Sequence, residues 1–107
     1  MKIVLILPRA MQRMEEIYDY YFQFSEVTAA RIYNEILDRI ELLAHFPFLG
    51  YVEQQFSYWG KFFRSLIVKN YKIIYYIEDS ENTIYIATVW DCRQNPDKLK
   101  YEIFTAD

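Results

Sequence analysis

Four cationic residues lie close together in the second half of the chain. Lys61, Arg64, Lys69 and Lys72 all fall within the segment Lys61–Ile77, which contains no acidic residue. Cations grouped in this way bind a phosphate or an acidic segment of a partner, or they remain solvated on the face of a strand. The whole chain has a net charge of −3. We therefore expect a local basic site and not a generally basic, nucleic-acid-binding surface.

Other chemistries leave no signature in the sequence. There is no glycine-rich phosphate loop, no HExxH pair and no nucleophile elbow. Cys92 is the only cysteine, which excludes an intramolecular disulfide and a cysteine-based zinc site. His45, the only histidine, falls at the end of a predicted helix, where a structural role is the simpler interpretation. We predict that the protein uses no cofactor and no metal.

The composition is typical of one folded domain over residues 1–107. Hydrophobic residues make up 53% of the chain and glycine occurs only twice, which excludes a disordered chain. The apolar run at the N-terminus is too short for a signal-peptide core or a membrane span. We expect a soluble, cytoplasmic protein, with Lys2–Leu7 as a central strand.

Hydrophobic periodicity predicts the elements that position the cations. Apolar residues recur at helical spacing from Arg9 to about Phe24, and again from the N-cap residue Ser25 up to Phe46-Pro47. Two helices joined by so short a link form an antiparallel hairpin. The period then changes to two in three strand-like segments, Phe62–Val68, Tyr71–Ile77 and Thr83–Trp90. Between the helices and these strands, Tyr51–Gly60 is predicted to be a loop, and the tail Asn95–Asp107 contains a weak helical stretch.

These elements predict an α+β fold with the order β-α-α-β-β-β. The antiparallel helix hairpin should pack on one face of a small, mainly antiparallel, twisted sheet. Alternation places Arg64 on the same face of its strand as Leu66, and Lys72 on the same face as Ile74. We expect Arg64 and Lys72 to share the face that no helix covers.

The order of several short motifs resembles the RelE/ParE toxin superfamily, which includes plasmid stabilisation proteins. The motifs are a helix exit Pro47-Phe48-Leu49-Gly50, a strand with Arg64-Ser65-Leu66, a strand Tyr71-Lys72-Ile73-Ile74-Tyr75, and Arg93-Gln94-Asn95-Pro96 after the last strand. They cover nearly the whole chain. The resemblance implies a bacterial type II toxin that inhibits growth, is neutralised by a cognate antitoxin, and forms a hetero-oligomer with it.

The superfamily offers two targets. RelE-like members cut messenger RNA in the ribosomal A site, and ParE-like members poison DNA gyrase. A ribonuclease needs cations that stabilise the charge building on the attacked phosphate. By position, the resemblance gives that catalytic role to Arg64, Lys72 and Arg93. This assignment applies only if the protein is a ribonuclease. Whether the protein is an enzyme therefore stays open.

This chain departs from the ribonuclease pattern in several places. Leu66 stands where RelE-like enzymes have further cations, Asp91 adds negative charge beside Arg93, and Tyr101 is the only candidate acid near the C-terminus. We therefore favour the ParE-like activity. A ribosome-dependent endoribonuclease and a degenerate, non-catalytic antitoxin-binding module are the alternatives. For contact with antitoxin or target, the candidate residues are Arg64, Lys69, Lys72, Arg93 and Tyr21.

Overall fold

The computed structural model describes residues 1–56 and 61–105 and forms one mixed sheet with helices on both faces. In chain order the elements are β1 (Ile3–Ile6), α1 (Pro8–Phe22), α2 (Glu26–Leu42), β2 (Tyr51–Val52), β3 (Arg64–Val68), β4 (Tyr71–Glu78), β5 (Thr83–Asp91) and α3 (Pro96–Thr105). The α+β class and the predicted order are confirmed, α3 corresponds to the helical stretch predicted in the tail, and β2 is an addition within the predicted loop. The last part of the predicted loop Tyr51–Gly60 and the last two residues of the tail lie outside the described residues.

The sheet has the strand order β1-β5-β4-β3-β2. β1 runs parallel to β5, whereas all the other neighbours are antiparallel. β1 is therefore an edge strand, and its prediction as a central strand was wrong. The apolar run gave no sign of this, because Ile3 and Leu5 are apolar and yet 56% and 46% exposed.

The helix hairpin forms as predicted and packs on one face of the sheet. Ser25 caps α2, because its Oγ accepts a hydrogen bond of 3.1 Å from the backbone N–H of Thr28. The buried stripe of α2 and two residues of α1 contact the inward side chains of β3, β4 and β5. This main core contains Ala10, Met14, Ile32, Ile36, Ile40, Leu43, Leu66, Val68, Tyr71, Ile73, Tyr75, Ile84, Ile86 and Val89.

The second face of the sheet is also covered in part, because α3 returns across it. Leu99 and Ile103 of α3 pack on Ile74, Ala87 and Trp90. The expectation of a face without helices is therefore corrected. Burial on both sides explains why β4 and β5 are apolar at successive positions, as in strands enclosed between two layers.

Candidate functional site

Arg64 and Lys72 lie on opposite faces of the sheet, which corrects the expectation that they share one. Arg64 pairs across β3 and β4 with Tyr75, a residue of the main core. Lys72 pairs with Ile67 on one side and with Trp90 on the other, and Trp90 belongs to the core beneath α3. Residues directly opposite each other in a sheet share a face. The two cations therefore cannot act on one phosphate.

Arg64 ties down the loop that leaves α2. Its Nη1 donates a hydrogen bond of 2.7 Å to the carbonyl oxygen of Gly50, and its guanidinium lies 4.9 Å from the centre of the Phe48 ring. The N–H of Gly50 donates to the Tyr75 hydroxyl at 2.8 Å, and that hydroxyl donates to the carbonyl oxygen of Pro47 at 2.8 Å. The Pro-x-x-Gly motif and the arginine thus form one hydrogen-bonded unit.

Gly50 is required here by space. A Cβ at this position would lie 2.8 Å from the Ser65 carbonyl oxygen and 2.8 Å from the Tyr75 ring and hydroxyl. Burial raises the pKa of Tyr75 above its ordinary value, so its hydroxyl keeps the proton that it donates to Pro47. The motif that suggested the family therefore has a structural explanation in this chain.

Lys72 is paired with a buried carboxylate that the sequence did not single out. Glu53 is only 6% exposed, and its Oε1 accepts hydrogen bonds from Lys72 Nζ at 3.0 Å and from Ser65 Oγ at 2.7 Å. Burial alone would raise the pKa of Glu53, but the bonds from Ser65 and Lys72 lower it below its ordinary value. The charge of Lys72 is therefore neutralised inside the protein.

Lys69 is an exposed candidate cation, with 49% of its side chain accessible to solvent. It lies in the tight turn between β3 and β4 with φ 55°, and its Nζ is 3.7 Å from a carboxylate oxygen of Glu35 on α2. Both side chains are well exposed, so this ion pair contributes little to stability. Lys69 remains accessible to an acidic partner.

Arg93 and Tyr21 are brought together through Tyr71. Arg93 Nη2 lies 3.5 Å from the Tyr71 hydroxyl, which donates to the Tyr21 hydroxyl at 3.3 Å. Arg93 also binds Asp91 through Nε at 3.0 Å and Nη2 at 2.9 Å. The hydrogen bonds from Arg93 hold the pKa of Asp91 below its ordinary value. Burial and the bond to Tyr21 raise the pKa of Tyr71, so this phenol stays protonated.

A cavity of about 300 Å³ opens beside this group, between α1 and the end of β5. Its apolar lining comes from Ile17 and Val89 and its aromatic lining from Tyr20, Tyr71 and Trp90. Arg13, Glu16, Asp91, Arg93 and Gln94 supply the polar part. The arginines are paired with the carboxylates: Arg13 Nη1 is 2.7 Å from Glu16, and Arg93 binds Asp91. The cavity therefore offers rings and balanced charge, which suits a side chain of a protein partner.

Exposed apolar side chains lie at the tip of the helix hairpin, where Phe24 adjoins the cavity residue Tyr20. Phe22, Phe24 and Val27 are 49%, 73% and 77% exposed, and Tyr20 is 50% exposed. The Tyr20 and Phe24 ring centres are 5.5 Å apart. Large apolar groups left in water at one place are typical of a protein interface. We call the cavity and these residues the hairpin-tip surface.

A second buried carboxylate, Glu102, fixes α3 to α1. Its Oε1 accepts a hydrogen bond of 2.9 Å from Arg13 Nε and lies 3.5 Å from Arg9 Nη1. Its Oε2 accepts from Thr88 Oγ1 at 2.6 Å. The bond to Glu102 therefore fixes the side chain of Arg13, which forms part of the cavity wall. Sequence spacing could not reveal it, because Arg13 and Glu102 are 89 positions apart.

Comparison with known proteins agrees with this architecture. A family described as "ParE toxin of type II toxin-antitoxin system, parDE" matches residues 4–96. No curated protein is similar enough in sequence to match the chain. None of the helices described within residues 1–56 and 61–105 combines the length and apolar character that crossing a membrane requires. The family match covers the helix hairpin, β2 to β5 and all of β1 but its first residue. The chain therefore belongs to the ParE toxin family and is the toxin of a type II toxin–antitoxin system, which implies a cognate antitoxin as its partner.

Proposed function

We propose that this toxin inhibits growth by binding DNA gyrase in the bacterial cytoplasm, through surface complementarity and without chemistry of its own. The observation that carries the proposal is the engagement of the three candidate catalytic cations within the fold. Lys72 is bound to the buried carboxylate of Glu53, Arg93 to Asp91, and Arg64 to the carbonyl oxygen of Gly50.

Phosphate chemistry requires a different arrangement. Transition-state stabilisation depends on donors that converge, before the reaction, on the position where negative charge develops. Here Arg64 and Lys72 lie on opposite faces of the sheet, and moving Lys72 toward a phosphate would leave Glu53 buried without its counter-charge. The net charge of −3 also disfavours the many phosphate contacts that ribosome binding involves. These points support a binding toxin over a ribonuclease.

The hairpin-tip surface is the proposed contact site for gyrase. Aromatic side chains and arginine are the residues that most often dominate binding energy in protein interfaces. This surface combines Tyr20 and Arg93, which line the cavity, with Phe24, whose ring lies beside that of Tyr20. Tyr21 accepts a hydrogen bond from Tyr71, which lines the cavity, and so helps to hold that ring in place. The antitoxin neutralises the toxin by covering the same surface, with Lys69 as an additional contact for its acidic residues.

The test uses the purified full-length toxin in two assays. One measures DNA supercoiling by gyrase and the amount of broken plasmid released from gyrase by denaturation. The other maps cuts in a messenger RNA translated in a cell extract. We expect gyrase to be inhibited, and we expect Tyr20→Ala and Arg93→Ala to weaken the inhibition at least tenfold, since hot-spot truncation costs roughly 2 kcal/mol or more. Arg31→Ala, at an exposed position of α2, is the control and should inhibit like the wild type.

Two results would contradict the proposal. Cuts at the ribosomal A site with no effect on gyrase would assign the ribonuclease activity instead. A toxin that affects neither system and does not slow growth, while still binding its antitoxin, would identify the degenerate module.

A further inference from the structure

The outer edge of β1 is an open, apolar strand edge. β1 is the terminal strand of the sheet and consists of Ile3, Val4, Leu5 and Ile6. Proteins protect open edges with charged residues, proline or a covering element, because an unprotected edge pairs with another strand. None of the four residues is charged or a proline, and Ile3 and Leu5 are 56% and 46% exposed. The edge therefore has the properties of an interface.

The hydrogen bonds of β1 define which backbone groups are open. Ile3 N–H donates to the Asn82 carbonyl and Leu7 N–H to the Ile86 carbonyl. In a parallel ladder every second residue points toward its neighbour, so residues 3, 5 and 7 face β5. The N–H and C=O groups of Val4 and Ile6 point to the outer edge.

The part of β1 that can pair with another strand ends at Lys2 and at Pro8, which are equally far from Leu5 along the chain. On one side the N–H of Lys2 already donates to the Ala44 carbonyl at 2.9 Å. On the other side Pro8 has no N–H to donate. Two outward residues, Val4 and Ile6, remain between these ends. The edge is therefore symmetric about Leu5 in its donors and acceptors.

We propose that β1 pairs antiparallel with β1 of a second copy of this chain, about a two-fold axis at Leu5. Val4 of each copy then lies opposite Ile6 of the other, and their N–H and C=O groups satisfy one another completely. Leu5 contacts its own symmetry equivalent on the face where both are exposed. This inference does not depend on the proposed target.

The oligomeric state of the full chain tests the proposal. Sedimentation velocity over a range of concentrations should approach twice the chain mass of 13.1 kDa at high concentration. Leu5→Lys should shift the protein to monomer at every concentration with an unchanged circular dichroism spectrum, because Leu5 is exposed. Ile67→Lys introduces the same charge at a 52% exposed site of β3 and should leave the mass distribution unchanged.

Disulfide trapping tests the register. In a Cys92→Ser background, Leu5→Cys places two thiols at a pair of strand positions with Cα atoms about 4.5 Å apart, within the range that a disulfide spans. Ile3→Cys is the matched control, because its two copies are displaced by about 13 Å along the strands. Rapid dimer trapping at position 5 and none at position 3 supports the proposal. The proposal would be overturned if the protein were a monomer at all concentrations, even if β1 paired with a different protein. Disulfide trapping at position 3 would also overturn it.

Discussion

Replacement of Lys72 by methionine separates its structural role from a role in contacting the target. The substitution keeps the length of the side chain and leaves the Glu53 carboxylate, 6% exposed, with Ser65 and without its counter-charge. Removing one member of a buried ion pair costs roughly 3–5 kcal/mol. Because the Lys72 side chain is 24% exposed and Ser65 keeps its hydrogen bond, we expect about 2 kcal/mol of lost stability. That loss corresponds to a fall in Tm of about 10 °C for a domain of this size.

The double variant Lys72→Met/Glu53→Gln should recover much of this loss. It removes both charges, and the amide oxygen of the glutamine still accepts a hydrogen bond from Ser65. Urea unfolding of the wild type, both single variants and the double variant gives the coupling free energy, for which we expect about 1 kcal/mol or more. Lys69→Met is the matched control, because Lys69 is in an exposed, loose ion pair with Glu35, and it should change stability by less than about 0.5 kcal/mol.

Growth inhibition by the same variants separates the two roles. If Lys72 only balances Glu53, the double variant should inhibit growth like the wild type at equal expression. The ion-pair explanation would be refuted if the single variants were as stable as the wild type. It would also be refuted if their losses in unfolding free energy simply added in the double variant. An inactive but fully stable double variant would give Lys72 a direct contact with the target.

Three further predictions concern pH, the helix exit and α3. The pKa of Glu53 is lowered in the folded state, so the stability it contributes is present above the ordinary pKa of 4.5 and is lost as the pH falls through the lower folded value. Urea unfolding in acid should show this loss in the wild type and a shallower loss in Glu53→Gln; equal slopes would contradict it. Gly50→Ala should destabilise the protein by roughly 1–3 kcal/mol, because its Cβ meets Ser65 and Tyr75 at 2.8 Å, and an unchanged urea midpoint would show that the loop yields. Glu102→Gln should speed amide hydrogen exchange in α3 more than in α2, since Glu102 anchors α3 to Arg13 and Thr88, whereas a uniform change would indicate global destabilisation instead.

Local patterns in the sequence were sufficient to predict the order of the main elements. The helical spacing of apolar residues and the N-cap Ser25 located the hairpin, and α2 begins at Glu26 as expected. The strands β4 and β5 begin where predicted and end one residue later, whereas β3 ends where predicted and begins two residues later. These features depend on neighbours in the sequence, which a periodicity reports directly.

The faces of the sheet could not be predicted in the same way. Ile73 and Ile74 are successive residues and both are fully buried, one in each core, because α3 covers the face opposite the hairpin. With apolar residues on both sides of β4, alternation does not indicate which side the hairpin occupies. Arg64 and Lys72 were therefore assigned to a shared face incorrectly.

The pairing of the candidate cations depends on contacts between distant parts of the chain. Glu53 lies 19 positions before Lys72 in a segment without periodicity, so no local signal marked it as a buried carboxylate. The cavity beside Arg93 likewise needs α1 and β5 to be packed together. The sequence could identify the cations as candidates, but only the fold shows that they are engaged.

A titration of gyrase tests most directly whether the toxin acts by binding and not by catalysis. Gyrase at a fixed concentration well above the dissociation constant is incubated with increasing toxin, and supercoiling activity is measured after a long, constant time. A binding toxin predicts a linear loss of activity that ends near one toxin per gyrase subunit and does not move with longer incubation. The account would be contradicted if much less than one toxin per gyrase subunit inactivated all of the gyrase and the loss of activity continued with time.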